Sequence, residues 1–160
     1  MSERTLCFLV DDLPPTKLLL GFKKRGFGAG RFVGIGGKIE EREGVETAVM
    51  REVTEEIGVT LSSQDLHPFG TIDFQFTAKL SWSQQVHIFV TQSWIGNIIE
   101  SDEIRPIWFG IDQIPYDKMW QDARHWLPYI LAGTPIKGTF IFADDNETVT
   151  HVTIEDFREY

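Results

Sequence analysis

The chain has 160 residues, 42% hydrophobic and 24% charged, enough for one globular domain spanning residues 1–160 with its own core. A net charge of −9 excludes a general nucleic-acid binder, which needs a basic surface, but allows a small phosphorylated ligand held by a local basic patch and a metal. The single cysteine, Cys7, excludes an intramolecular disulfide and a thiolate zinc cluster; with no secretory leader pattern and no membrane-length apolar run, the expectation is a cytoplasmic monomer that touches no membrane.

"TLCFLVDD" and "KLLLGFKK" are apolar runs separated by "LPPT", and Pro14 with Pro15 predicts a turn between paired strands. "RGFGAGRFVGIGGKIE" carries six glycines and reads as a loop with one short extended piece, whose backbone can come close to a ligand. Lys23, Lys24, Arg25, Arg31 and Lys38 crowd this region, as a solvated loop or as a phosphate patch. From about Gly44 to Ile57 the apolar period becomes helical. "FGTIDFQFT" and "QVHIFVTQSW" read as strands, "GNIIESDEIRP" as a connection and "IWFGI" as a short strand. A second helix is broken early by Pro115, capped near Asp122 and ended around Gly133. "GTFIFADDNETVTHVTI" alternates on both sides of a polar turn, a hairpin signature. The order predicts an α/β fold with a mixed sheet covered by helices.

The first helix ends in "REVTEEIG", with Glu52, Glu55 and Glu56 in its last turn. Backbone dipoles make that end partly negative, so anions are disfavoured there. Advancing 100° per residue puts Val49, Met50, Val53 and Ile57 on one side, to pack on the sheet. The three glutamates share another sector with Ala48, where a small residue would leave the patch open. Arg51 offsets part of the repulsion through Glu55 or Glu43 but not all of it. Two readings remain: a solvated acidic helix end, or a site for a hard divalent cation such as Mg²⁺ or Mn²⁺.

Gly37, Glu43, Arg51, Glu52, Val53, Glu55, Glu56, Gly58 and Val59 match every defined position of G-x5-E-x7-R-E-U-x-E-E-x-G-U, U being aliphatic. The segment therefore resembles the Nudix box, nine fixed positions over 23 residues. The flanking stretches, and nearly the whole chain, are similar to the oxidised-purine nucleoside triphosphate pyrophosphatases of that family. The resemblance implies a Nudix α/β/α sandwich with a mixed central sheet. It implies Mg²⁺-dependent hydrolysis, with Mn²⁺ as substitute, of triphosphates such as 8-oxo-dGTP and 2-hydroxy-dATP to monophosphate and pyrophosphate. The partner is then a small-molecule nucleotide, not a nucleic-acid polymer.

Carried over by position, Glu52, Glu55, Glu56, Glu103 and the Gly36 carbonyl would hold metal. Arg51 and Glu43 would pair and fix the helix against the loop. Glu56, Glu52 or Glu103 would take the proton from the attacking water, and the sequence does not choose among them. Lys23 falls near the phosphates; Lys38 either assists or is solvated. Phe27, Phe74, Phe76 and Trp120 would wall the base pocket, with Trp120 stacked on the purine, and Asp122 would bond the base edge. Two departures bear on the base. Val33 replaces an asparagine and Ala123 an acid, both base readers in the animal enzymes. Phe8, where those enzymes carry a small hydroxyl residue, would reshape the pocket floor. The alternatives are a Nudix hydrolase of unmodified or alkylated nucleotides or nucleotide sugars, and a nucleotide sensor without catalysis.

Overall fold

The computed structural model describes residues 1–156; residues 157–160 of the expected domain lie outside the described residues. Two sheets form. The larger orders its strands β1-β5-β4-β7-β8, where β1 is Ser2–Leu9, β4 His67–Phe76, β5 Gln84–Thr91, β7 Ile136–Phe142 and β8 Val149–Asp156. It is mixed: β1 runs parallel to β5 and β4 parallel to β7, while β4 and β5, and β7 and β8, are antiparallel. The smaller sheet is antiparallel, β3-β2-β6, with β2 at Lys17–Lys23, β3 at Phe32–Val33 and β6 at Ile104–Gly110.

The strand pair expected across Pro14 and Pro15 does not form as a ladder. β1 and β2 enter different sheets and meet at one isolated bridge, Val10 to Leu18. Both runs are apolar enough to be buried on two faces, and each finds a distant partner instead. β6 also begins earlier than expected, because Ile104 to Pro106 of the predicted connection pair with β2.

Side-chain alternation along the strands divides the core into two layers. Phe8, Leu18, Leu20, Val86, Ile88 and Val90 point to one side, where they meet Trp126, Leu127 and Ile130 of helix α2, Ala123–Leu131. Cys7, Leu9, Leu19 and Phe89 point to the other and meet Val49, Val53 and Ile57 of helix α1, Val45–Ile57. Helices thus cover both faces, as the α/β/α expectation requires. Each of these α1 side chains is fully buried, a contribution of about 1.5–3 kcal/mol apiece. Gly58 ends α1 in the left-handed region at φ 77°, and its N–H donates to the Thr54 carbonyl at 3.0 Å. Asp122 does precede α2, but its side chain makes no capping bond.

Candidate active site

Helix α1 and the loop after β3 form one wall of a cleft of about 460 Å³. Gly36, Gly37, Lys38, Glu52, Glu55 and Glu56 line it, and Glu103, just before β6, lines it from outside the helix. The two glycines are steric requirements. A Cβ on Gly36 would lie 1.9 Å from the Thr5 carbonyl oxygen, and one on Gly37 would lie 2.5 Å from the Glu52 carboxyl carbon. The Gly37 carbonyl accepts from the Thr5 N–H at 2.9 Å, which ties the loop to β1.

Arg51 organises the acidic wall. Its Nε and Nη2 donate to the two oxygens of Glu43 at 2.7 and 2.8 Å, a fork that holds the helix to the preceding turn. Nη1 donates to Glu52 at 2.9 Å and Glu55 at 3.2 Å, and Nη2 reaches the Lys38 carbonyl at 3.2 Å. The bond from Arg51 is the main reason the Glu43 carboxyl lies low, at about 2. Lys23 and Arg25 stand 3.8 and 3.7 Å from the Glu103 carboxylate. The rest of the basic cluster goes elsewhere: Lys24 pairs with Glu100, and Arg31 pairs with Glu147 and lies over the Trp120 ring.

Among the described residues, Glu56 has no cation bonded to it in this way. It is 4% exposed, and burial pushes its carboxyl up to about 8; Lys23 opposes the shift, while Glu52 and Glu103 add to it. Ala48, expected to leave the patch open, is instead fully buried. Among the described residues, no three acidic, histidine or cysteine side chains converge as a ready-made metal cage. The donor chemistry still suits a hard divalent cation: carboxylates of four glutamates face one cleft, and the innermost is too crowded by burial and like charge to ionise readily.

The second cavity, about 120 Å³, is aromatic. Phe27, Val33, Phe74, Phe76, Trp120 and Asp122 all line it, so the residues expected around the base are brought together except Phe8, and Lys23, expected near the phosphates, joins them. Phe27 and Trp120 stack on one another at 5.2 Å, 22° between planes, and Phe27 also meets Phe76 edge-on at 6.5 Å. Asp122 is 5% exposed and accepts from Trp126 Nε1 at 2.7 Å; burial raises its carboxyl to about 6, against the lowering effect of that bond. Ala123 lines the cavity beside it. Phe8 does not line it. Its ring is fully buried against Trp126, 5.9 Å between centroids, in room left by Gly34, whose Cβ would approach it to 2.9 Å.

The cavities share Arg4, Lys23, Gly36 and Gly37. Arg4 was missed in the sequence. It lies in the first strand, bridges to Lys38, and has Glu52 and Glu56 close enough to favour its charge, against a larger lowering by burial. Only the tertiary bridge reveals it. Gln84, Met119 and Trp126 also line the aromatic cavity without having been singled out.

A family profile described as NUDIX domain matches residues 4–130. The chain is 42% identical over 151 residues to the oxidized purine nucleoside triphosphate hydrolase of Mus musculus, covering 94% of this chain and 95% of that protein. The protein of the same name from Danio rerio matches at the same identity and coverage. Among solved structures, a MutT protein from Bacillus halodurans superposes with a TM-score of 0.81 at 23% identity, covering 97% of this chain and 98% of that one.

Proposed function

The chain belongs to the Nudix family of hydrolases, and on that footing we propose that it hydrolyses oxidised purine nucleoside triphosphates to the monophosphate and pyrophosphate. One observation carries the reading. An aromatic cavity sized for a base and an acidic cleft suited to a polyphosphate meet over Gly36 and Gly37, with Arg4 and Lys23 at the junction. The same substrate class is printed in the names of the mouse and zebrafish relatives.

Nudix hydrolases use divalent metal ions, and we assign Mg²⁺, with Mn²⁺ as substitute. Glu52, Glu55, Glu56, Glu103 and the Gly36 carbonyl would hold the metal. When bound, it neutralises phosphate charge and lowers the pKa of water. The chain's own residues do the rest. Phe27, Phe74, Phe76 and Trp120 receive the base, and Asp122 bonds its edge. Stacking on Trp120 requires the base to enter beside or displace its contact with Phe27. Lys23 and Arg4 orient the phosphates, while Arg51 keeps Glu43 and Glu52 in place. Glu56, Glu52 or Glu103 accepts the proton from water at a carboxylate oxygen as the P–O–P bridge opens.

Val33 and Ala123 favour a second reading, in which the same hydrolysis acts on unmodified or alkylated nucleotides, because apolar side chains occupy two points of the base cavity. Phosphate release in the presence of Mg²⁺ and pyrophosphatase, across 8-oxo-dGTP, 2-hydroxy-dATP, O6-methyl-dGTP, dGTP and dATP, separates the two. A preference of tenfold or more for an oxidised purine is the expected result. Equal rates on damaged and normal nucleotides would overturn the reading.

A further inference from the structure

The aromatic cavity contains a polar group that neither the family motif nor the sequence pattern assigns. Gln84 opens β5, and its alternation with Val86 and Ile88 points it to the same side as those core residues. It lines the cavity beside Phe74, its partner across the β4–β5 ladder. The residue as a whole is 8% exposed, but its amide is not one of the buried unpartnered atoms, and among the described residues no side-chain hydrogen bond engages it, so the amide is open to the cavity. The other buried polar side chains on this wall are engaged: Thr5 donates to the Gly37 carbonyl, and Asp122 accepts from Trp126. A ligand in the cavity can bond to the Gln84 amide without breaking a bond inside the protein.

We propose that Gln84 reads the edge of the bound base and sets a preference for a purine presenting one donor beside one acceptor. A glutamine amide offers an N–H and a C=O side by side. Guanine presents two acceptors, N7 and O6, on its major-groove edge, so the amide satisfies only one of its own groups there. Oxidation at C8 places a proton on N7. That edge then offers a donor next to the O6 acceptor, and the amide makes both bonds. Gln84 is thus a specificity-determining residue that offsets the base readers lost at Val33 and Ala123. The assignment rests on the proposal that this cavity receives the base.

The test is Gln84→Leu, which keeps the volume and removes the amide. For 8-oxo-dGTP and dGTP, kcat and KM are measured with Mg²⁺; binding of 8-oxo-dGMP and dGMP is measured by calorimetry, which needs no turnover. In the parent protein the oxidised base is preferred in both assays. In the variant, KM for 8-oxo-dGTP should rise about 10- to 100-fold with kcat within about twofold, while dGTP changes less, so that the preference collapses. Melting should stay near the parent temperature, since no hydrogen bond within the protein is lost. An unchanged preference overturns the role of Gln84 alone. An equal loss on both nucleotides with lowered melting assigns Gln84 to packing and also overturns it. A parent protein that binds neither monophosphate and hydrolyses neither triphosphate removes the functional reading, and this proposal with it.

Discussion

Replacing Glu56 by glutamine tests the electrostatics of the cleft and its chemistry together. The carboxyl is raised from 4.5 to about 8, first by burial and then by Glu52 and Glu103. Between those values the folded, metal-free protein binds a proton that the unfolded chain has released. Stability is therefore fully present below about pH 4.5 and is lost as pH rises through about 8. At about 1.4 kcal/mol per pKa unit, the loss across that window is about 3–5 kcal/mol. Glutamine keeps the shape and cannot ionise. In chelator, Glu56→Gln and the parent should melt together near pH 4.5, and the variant should melt about 10 °C higher at pH 9. Calorimetric scans at half-unit pH steps measure this. The titration of Asp122 is common to both proteins and cancels in the difference. With Mg²⁺ added at pH 8, the parent should gain stability while the variant gains far less and turns over at least 10²-fold more slowly. Parallel melting curves across the whole range would refute the argument, as would near-parental turnover.

Four further outcomes follow from the geometry. Gly37→Ala should lower kcat at least tenfold while circular dichroism stays unchanged, because the new methyl would collide with the Glu52 carboxyl at 2.5 Å. Trp120→Ala should raise KM for a purine triphosphate at least tenfold with kcat within about threefold, as expected for a side chain that holds the base rather than the reacting phosphates. Trp126→Phe deletes the donor that lowers the Asp122 carboxyl, so the apparent pKa in a profile of KM against pH should move upward from about 6. Chelation should abolish turnover, and either Mg²⁺ or Mn²⁺ should restore it in a colorimetric phosphate assay coupled to pyrophosphatase.

The acidic end of α1 was legible because helical geometry fixes neighbours three and four apart, and a Nudix box over 23 residues is self-identifying. The aromatic residues of the second cavity were legible only by resemblance, since no local spacing brings Phe27, Phe74 and Trp120 to one point. Arg4 was illegible for the same physical reason: its place beside Glu52 and Glu56 depends on how β1 docks on the loop after β3. The proline turn suggested a local pair for β1, whereas its ladder partner is β5, some eighty residues away, from Ser2 with Gln84 to Leu9 with Thr91. Gln84 carries no signal in the sequence, because the apolar run begins at Val86 and only the ladder shows β5 opening at Gln84 with its side chain facing inward. The position of Phe8, behind the cavity rather than in its floor, depends on the space beside Gly34, which sequence spacing does not express.

The two chambers overlap only along Arg4, Lys23, Gly36 and Gly37. Val33, Gln84 and Ala123 belong to the aromatic one alone, and Glu52, Glu55, Glu56 and Glu103 to the acidic one alone. On the proposed reading, appetite and bite are therefore housed separately. If those roles hold, a handful of exchanges around the ring-lined chamber should retrain the protein toward another nucleobase while the cutting apparatus stays as it is, which makes this scaffold a natural starting point for redesigning nucleotide selectivity.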